Sequence, residues 1–317
     1  MPVAYITIDT TAWQRDEEYP IHPVGSREKQ IVICPNPAPY DFLIPTHRYL
    51  LKFSNPRAPS QFLSEVMAYR VGTLLSVPVP PTFPAFDRND RSAAALIEFF
   101  LGRPGESPWE LVHGGDYCER YFPGFERSRG RDHTLDRLIQ IMESESRRGL
   151  AEDYVAHWSK VFLFDATIGN TDRHQDNWGL LWTTVGEQPA RTAKLTPAFD
   201  NGTSLGYELS EEGVTSHLDV ARLAKYVARG RHHIRQHPGD PKGFGHFGLI
   251  QEWLRRFPES RPAMAAALAG STLDKVRQAI DPLVQIEAPI GLSENRLCFV
   301  LKLIEWRSLY LRELVGI

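Results

Sequence analysis

The chain of 317 residues has little cysteine, no excess of basic residues and no long hydrophobic run. Its three cysteines, Cys34, Cys118 and Cys298, are odd in number and far apart, so they form neither a disulfide framework nor a CxxC metal pair. The formal net charge of −3 disfavours a strongly basic nucleic-acid binder, and direct nucleic-acid binding is not expected. The scarcity of cysteine favours a reducing compartment, and we predict a cytoplasmic protein.

No secretory signal or membrane span is expected. The first twenty residues contain Asp9, Asp16, Glu17 and Glu18, whereas a signal needs a basic start and an apolar run. The longest apolar stretch, residues 93–101, is interrupted by Glu98 and is too short to cross a bilayer. We therefore expect no membrane partner.

The two parts of the chain differ in proline content. Sixteen of the 24 prolines fall in the first 125 residues, which favours strands, turns and short helices there. Apolar patterns predict strands at 30–33, 49–53 and 94–100, and a helix at 61–75. From about residue 131 the pattern is mainly helical, with predicted helices at 133–146, 151–166, 220–229, 248–257, 261–268, 271–280 and 295–315. Predicted strands at 178–183 and 192–196 flank a turn at 186–189.

These patterns predict an α+β protein with two lobes. Residues 1–100 form a small strand-rich N-lobe, residues 101–317 form a larger, mostly helical C-lobe, and the join lies near 98–103. Ligand sites favour clefts between domains, so we expect the chemistry to gather at this join.

One loop carries the most informative spacing. Asp172 and Asn177 are separated by four residues, which is the D-x-x-x-x-N spacing of the protein-kinase catalytic loop. In that loop the aspartate orients the attacking hydroxyl and accepts its proton, while the asparagine carbonyl binds magnesium. The spacing alone is a weak signal, because Asp and Asn are common in ordinary loops.

A second carboxylate strengthens this interpretation. Asp200 follows Asn177 by 23 residues, after a predicted hairpin, where it can supply another metal ligand. An oxygen-only pair of Asn177 and Asp200 suits magnesium better than zinc. The alternative is that Asp200 belongs to a simple turn.

Upstream residues supply candidates for holding phosphates. Lys52 lies in an otherwise apolar strand, and a buried ammonium needs a partner, which Glu65 or its rival Glu28 can provide. The alternatives are a lysine that extends to solvent and a solvated helix glutamate. A short loop before the strand at 30–33 can bring backbone N–H groups and one lysine close to phosphate. The loop consists of Val24, Gly25, Ser26, Arg27, Glu28 and Lys29.

The order of these elements resembles the HipA-like serine/threonine kinases, which are bacterial toxin kinases and their single-chain relatives. The resemblance rests on the segments Gly25-Ser-Arg-Glu-Lys29, Tyr49-Leu-Leu-Lys52, Ile168-Gly-Asn-Thr-Asp-Arg-His…Asn177 and Leu195-Thr-Pro-Ala-Phe-Asp200. It covers roughly residues 20–210 with motifs, and the remainder by length and helical character only. The catalytic-loop pair is its specific part.

The resemblance implies a bilobal protein-kinase-like fold that uses ATP and Mg²⁺ to phosphorylate a serine or threonine of a protein. It implies that Asp172 is the catalytic base, that His174 supports the loop, and that Asn177 and Asp200 bind magnesium. Lys52 would hold the ATP phosphates, with Glu65 as its partner. The loop from Val24 to Lys29 would cover them, and Glu98, Phe99 and Phe100 would form the hinge that faces adenine.

Two departures from the family affect expectations about partners and regulation. Only about 20 residues precede the glycine loop, so we expect the compact form, in which a separate small protein, an antitoxin or regulator, can replace an extra N-terminal subdomain. His22 stands where several family members autophosphorylate a serine, and Ser26 is the nearest hydroxyl. Self-inhibition by loop phosphorylation therefore stays open. A translation factor or an aminoacyl-tRNA synthetase would fit the family as the target.

Other functions also fit the motifs. The Asp172-Arg-His…Asn177 segment resembles the catalytic loop of phosphoinositide kinases, so a lipid or small-molecule kinase is one alternative. A pseudokinase that works as a binding module is another.

A run without acidic residues contains further candidates. It is either a solvated helix face or a patch for nucleic acid or a phosphorylated partner. Its basic members are Arg222, Lys225, Arg229, Arg231 and Arg235, with His232, His233 and His237.

Overall fold

The computed structural model describes residues 6–16, 28–89, 92–106, 109–184, 191–286 and 291–317. Nine strands are found in these ranges: β1 Ile8–Asp9, β2 Gln14–Arg15, β3 Lys29–Ile33, β4 Arg48–Phe53, β5 Thr82–Asp87, β6 Ser92–Glu98, β7 Glu110–His113, β8 Gly179–Thr184 and β9 Arg191–Leu195. The same ranges contain ten α-helices: α1 Gln61–Leu74, α2 Gly114–Tyr121, α3 Leu135–Ser146, α4 Tyr154–Ile168, α5 Glu211–Ser216, α6 Val220–Arg229, α7 His246–Arg256, α8 Arg261–Gly270, α9 Leu273–Ile280 and α10 Glu294–Val315. Short 3₁₀ helices at Pro258–Ser260 and Asp281–Gln285 join the last helices.

The first part of the chain forms a six-stranded sheet in the order β1-β5-β6-β4-β3-β2. Alternate side chains point to opposite faces of a strand, and β6 shows this period of two. Ala93, Ala95 and Ile97 pack into the main core together with α1, whereas Ala94 and Leu96 belong to a second core on the other face. The sheet is thus buried on both sides, which explains its continuous apolar strands.

Helix α1 lies between this sheet and the helical part of the chain. Ten of its 14 residues are buried, because it contacts β5 and β6 on one side and α4 and α9 on the other. Ser54 Oγ accepts a hydrogen bond from the Phe62 backbone N–H, which satisfies one of the donors at the start of the helix. The helix ends just before a segment rich in proline, which cannot continue a helix.

Helices α4 and α10 form the centre of the helical part. The Asp153 carboxylate accepts from the backbone N–H groups of Val155 and Ala156 and so caps the start of α4. The helix ends at Gly169 in the left-handed conformation, with φ of +68°. The 22-residue α10 packs against it. None of the described helices combines the length and the apolarity needed to cross a membrane.

A second sheet, in the order β7-β8-β9, brings together the two segments that contain Asp172 and Asp200. The segment 169–178 connects α4 to β8, and β9 leads after Leu195 into the segment that contains Asp200. Since β8 and β9 are antiparallel neighbours, the start of β8 and the end of β9 lie side by side, and Leu180 pairs with Leu195.

The predicted α+β class, with a strand-rich part followed by a mostly helical part, is confirmed by this architecture. Most predicted elements are present with ends shifted by a few residues. Six elements have no counterpart among the predicted ones: β1, β2, β5, which contains Pro84, β7, α2 and α5. The predicted turn at 186–189 falls outside the described residues, and the lobe boundary near residue 100 stays a prediction.

Candidate active site

Lys52 lies on β4 and faces α1. The side chains of Tyr49, Leu51 and Phe53 belong to the core on the opposite face of the sheet, so the strand period turns Lys52 toward the helix. Its side chain is only 4% exposed, and its Nζ donates to Glu65 Oε1 at 2.8 Å. The predicted pairing of a strand lysine with the helix glutamate is therefore present, and the rival Glu28 instead accepts from Gln30 Nε2.

Asp200 joins this pair from a distant part of the chain. Lys52 Nζ also donates to Asp200 Oδ1 at 2.6 Å, and the side chain of Asp200 is 28% exposed. The second oxygen of Glu65, Oε2, accepts the backbone N–H of Asn201 at 2.9 Å. The buried ammonium is thus held between two carboxylates, which offsets much of its desolvation cost.

The backbone of Asp200 adopts a conformation that is uncommon for this residue type. Its φ is +56°, in the left-handed region. This region is several times more accessible to Asp and Asn than to most side chains, although it still carries strain. Such strain persists where surrounding contacts hold the backbone in place. Here the Asp200 side chain binds Lys52, and the backbone N–H of the next residue, Asn201, binds Glu65.

Arg173 fixes the segment 169–178 against the Asp200 segment. Its guanidinium is buried and binds Asp165 on α4 in a bidentate manner, with Nε to Oδ2 at 3.0 Å and Nη2 to Oδ1 at 2.7 Å. Nη2 also donates to Asn201 Oδ1 at 2.7 Å, and Nη1 donates to the carbonyl oxygen of Phe199. One side chain therefore connects α4, the predicted catalytic loop and the residues on both sides of Asp200.

The charge of Asp165 is stabilised by its surroundings. Burial alone would raise its pKa, but the Arg173 guanidinium and the hydrogen bond to His232 hold the pKa well below the usual range of an aspartate. Asn170 Nδ2 adds another hydrogen bond to Oδ1 at 3.0 Å. A buried carboxylate with this many donors stays ionised and anchors the loop.

Internal hydrogen bonds shape the loop around Asp172. The Asp172 backbone N–H donates to Asn170 Oδ1 at 3.0 Å, and the His174 N–H donates to the Asp172 carbonyl at 2.8 Å. Asn177 Nδ2 donates to that same carbonyl at 2.5 Å, which fixes the orientation of its amide group. His174 Nδ1 accepts from the Asp176 N–H at 3.1 Å, which suits a supporting role in the loop.

Some of the remaining predicted site residues lie close to the residues described above, and others fall outside the described ranges. Glu98 ends β6, and the Phe99 backbone N–H donates to the Arg48 carbonyl at 3.2 Å. The Phe100 ring lies 5.4 Å from the ring of Phe199, next to Asp200 in the chain. Lys29 is opposite Lys52 in the pairing of β3 with β4. Val24, Gly25, Ser26 and Arg27 fall outside the described residues.

The oxygen atoms of this site suit a hard cation. Among the described residues, no group of three or more His, Cys, Asp or Glu side chains has the geometry of a metal site. Asp200 and the amide oxygen of Asn177 supply one carboxylate and one neutral oxygen, a sparse set that fits Mg²⁺, which keeps water and phosphate oxygens as its other ligands.

Two residues of the site were missed by sequence reasoning. Arg173 is the arginine of the Asp172-Arg-His segment, and its position in that motif was the available signal. Asn170 orients the loop through both its side-chain oxygen and its carbonyl, which accepts from His246 Nε2 at 2.6 Å. Asp165 on α4 braces the same loop through its two hydrogen bonds with Arg173.

Comparison with known proteins supports the kinase-like fold. The crystal structure of CtkA, a proinflammatory kinase of Helicobacter pylori, has a TM-score of 0.72 and 17% sequence identity, and covers 98% of this chain and 97% of that one. The HipA protein in the HipA, HipB and operator DNA complex of Shewanella oneidensis has a TM-score of 0.49 and 16% identity, and covers 96% of this chain and 67% of that one.

Sequence comparison adds one curated relative. A protein of Sinorhizobium fredii named "Putative kinase Y4dM" is 27% identical over 130 residues, which is 40% of this chain and 28% of that protein. No protein-family model matches the chain. The predicted kinase-like fold is thus confirmed, because the chain has the fold of the CtkA kinase over nearly its whole length.

Proposed function

We propose that the protein is an ATP- and Mg²⁺-dependent kinase that transfers the γ-phosphate of ATP to a serine or threonine hydroxyl of another protein. The observation that carries the proposal is the Lys52 ammonium held at 2.8 Å from Glu65 and 2.6 Å from Asp200, residues that lie 13 and 148 positions away. Kinases use a strand lysine, a helix glutamate and a metal-binding aspartate in this arrangement.

The residues of the site suit ATP and Mg²⁺. Lys52 would hold the phosphates, because it presents a positive charge at the inner wall of the site and Glu65 keeps it oriented. Asp200 and Asn177 Oδ1 would hold the cation, whose contribution is to bridge the phosphates and offset their developing charge. In the same proposal the loop from Val24 to Lys29 covers the phosphates.

Asp172 would act on the acceptor hydroxyl. It orients the hydroxyl and accepts its proton, a contribution of about 10²- to 10⁴-fold in rate for a positioned general base. Arg173 does not touch the reactants in this proposal. It is a positioning residue that fixes Asp172 and Asn177 relative to Asp200 through Asp165 and the Asn201 side chain.

Adenine would lie against the segment of Glu98, Phe99 and Phe100. This segment follows β6 directly and approaches Phe199 through the Phe100 ring. Backbone groups of such a hinge can bind the edge of the base, and the two rings form an apolar wall beside it.

The proposal is tested by phosphate transfer and nucleotide binding on the same samples. Purified protein is incubated with ATP and Mg²⁺, with dephosphorylated casein as a generic acceptor, and both proteins are weighed by intact-mass spectrometry. The variants are Asp172→Asn and Asp200→Asn, and the matched control is Asp274→Asn, an exposed aspartate at the start of α9. ATP affinity is measured by calorimetry.

We expect the native protein and the control to transfer phosphate. Asp172→Asn should bind ATP but lose transfer by about 100-fold or more, and Asp200→Asn should lose transfer together with Mg²⁺-dependent binding. Transfer by the Asp172→Asn variant at the native rate contradicts the proposed role of Asp172. ATP binding without transfer by the native protein favours a pseudokinase, and transfer to phosphoinositides but not to protein favours the lipid kinase.

The natural acceptor and a small antitoxin-like partner stay predictions from the family resemblance. Peptide mapping of the phosphorylated chain in the same experiment would show whether Ser26 is modified.

A further inference from the structure

A pocket with a strong excess of positive charge lies beside the predicted catalytic loop. It has a volume of about 460 Å³ and is bordered by Gly169 and Thr171, the latter directly before Asp172 in the chain. On its other sides lie the end of α6, the segment 230–243 and α10. We call it the basic pocket. Its cations include three members of the basic run noted in the sequence.

Five cationic side chains and one carboxylate line the basic pocket. The cations are Arg229, Arg231, Arg235, Lys242 and Arg307, and the carboxylate is Glu208. Glu208 Oε1 accepts a hydrogen bond from Tyr226 at 2.8 Å. Within the described part of the chain, none of the five cations forms an ion pair. The pocket therefore keeps an excess of positive charge, although the carboxylates of Asp132 and Asp240 lie near Arg235 and offset part of it.

Arg307 is the most unusual of the five. It lies on α10 and is 2% exposed, yet it has no carboxylate partner among the described residues. Its Nη1 donates to the Ala166 carbonyl at 3.0 Å, and its Nε has no hydrogen-bond partner. Burial lowers its pKa to about 10, so it keeps its charge at neutral pH. A buried guanidinium with an unused donor is costly unless an anion completes it.

Two glycines make room for this guanidinium. A Cβ atom at Gly169 would lie 2.7 Å from Arg307 Nη2, and one at Gly230 would lie 3.1 Å from the same atom. Both glycines border the pocket. The guanidinium thus fits into the wall of the pocket because both neighbouring positions are glycines. A larger residue at either position would crowd it.

Backbone carbonyls orient two of the other cations and leave their charge in place. Arg235 Nη1 donates to the Gly130 carbonyl at 2.8 Å, and its Nε donates to the Asp240 carbonyl at 2.9 Å. Arg231 Nη1 donates to the Ala228 carbonyl at 2.9 Å. A carbonyl fixes a side chain without neutralising it. The result is a preorganised group of guanidinium forks, the geometry that proteins use for phosphate.

We propose that the basic pocket binds a phosphate group carried by a serine or threonine side chain of the polypeptide substrate, close to the hydroxyl that is phosphorylated. This proposal rests on the proposed kinase function, because the pocket is lined by Thr171, the residue directly before Asp172. A phosphoserine supplies about −1.5 to −2 charges and three acceptor oxygens, enough to engage several of these cations together. The convergence of the cations on one concavity favours a single phosphate over the extended row of phosphates in a nucleic acid.

The test measures binding without ATP, so it does not depend on phosphate transfer. The full chain is titrated by calorimetry with a short serine peptide, the same peptide phosphorylated on that serine, inorganic phosphate, and a short single-stranded DNA. The pocket variant is Arg229→Gln/Arg231→Gln. The matched control is Arg222→Gln/Lys225→Gln, which removes the same charge from exposed positions of α6 outside the pocket.

We expect the phosphopeptide to bind more tightly than its unphosphorylated twin. The pocket variant should weaken phosphopeptide binding by about tenfold or more, since charge-assisted hydrogen bonds are lost, while the control should bind as the native protein does. Added salt should weaken native binding. Inorganic phosphate should compete, but with lower affinity.

Several results would overturn the proposal. Equal affinity for the two peptides would show that the phosphate is not recognised. Equal affinity of the pocket variant and the native protein for the phosphopeptide would show that the pocket is not the binding site. Inorganic phosphate that binds as tightly as the phosphopeptide indicates a site for the free ion. DNA binding that is lost in the pocket variant, without phosphopeptide binding, indicates a nucleic-acid surface. If the phosphopeptide binds as expected but the native protein transfers no phosphate in the experiment above, the pocket is a phosphate site and the proposed kinase function is wrong.

Discussion

Replacement of Arg173 by methionine should destabilise the protein far more than replacement of a more exposed arginine that forms more ion pairs. The Arg173 and Asp165 side chains are 1% and 0% exposed. Methionine fills part of the same space but leaves the Asp165 carboxylate buried and without its cation. Removal of one member of a buried pair costs about 3–5 kcal/mol, because the remaining charge is uncompensated.

Arg127 is the matched comparison. It forms ion pairs with Asp116, Glu119 and Asp176, but its side chain is 32% exposed, and two of these partners are 45% and 48% exposed. Solvent screens such pairs, and exposed pairs contribute about 0–1 kcal/mol each. Arg127→Met should therefore cost clearly less than Arg173→Met, although Arg127 has more carboxylate partners.

Urea unfolding followed by circular dichroism gives the free energy of unfolding of each variant. The double variant Asp165→Asn/Arg173→Met should be more stable than Arg173→Met alone, because the unpaired buried charge is gone. The reasoning is refuted if Arg173→Met lies within about 1 kcal/mol of the native protein, or if the double variant is no more stable than the single one.

Two further predictions concern buried groups near the same network. Burial and neighbouring Arg307 lower the pKa of His246 to about 3, below its unfolded value of about 6.5. The unfolded state therefore binds more protons as pH falls through this window, and at pH 5 this one histidine should cost about 2 kcal/mol of stability. Urea midpoints measured against pH should show a shallower loss for His246→Gln than for the exposed control His237→Gln. In the second prediction, Gly169→Ala should lower the midpoint of thermal unfolding more than Gly124→Ala. Both glycines have positive φ, but only at Gly169 does a Cβ meet a side chain, at 2.7 Å from Arg307 Nη2; equal effects would contradict the predicted clash.

The elements that sequence reasoning located have strong local patterns. The predicted strand at 49–53 and helix at 61–75 match β4 and α1 closely, because apolar spacing there has a clear period. β5 was missed because it contains Pro84, which normally argues against a strand. Its neighbour β1 pairs only with Ala85 and Phe86, so the missing N–H of Pro84 faces no partner in the described part of that strand.

Helix α2 shows a different limit of sequence reasoning. It begins with Gly114 and Gly115, a poor start by helix propensity. The structure explains Gly114 by a contact distant in sequence, because a Cβ there would lie 2.2 Å from the Trp178 ring. A requirement set by tertiary packing leaves no trace in local periodicity, and the helix could not be predicted from its own residues.

The candidate site likewise combines contacts that the sequence predicts with contacts between distant segments that it does not predict. The pairing of Lys52 with Glu65 could be predicted because a buried ammonium needs a carboxylate and the two lie on adjacent elements. The second contact of Glu65 could not be predicted, because its Oε2 accepts a hydrogen bond from the backbone N–H of Asn201, 136 residues away. Asn201 in turn accepts from Arg173 through its side chain. One residue therefore connects α1 to the predicted catalytic loop, and a shift of α1 would disturb the lysine and the loop together. Since hydrogen bonds in such a buried network reinforce each other, the parts of the site are positioned as one unit rather than as separate motifs.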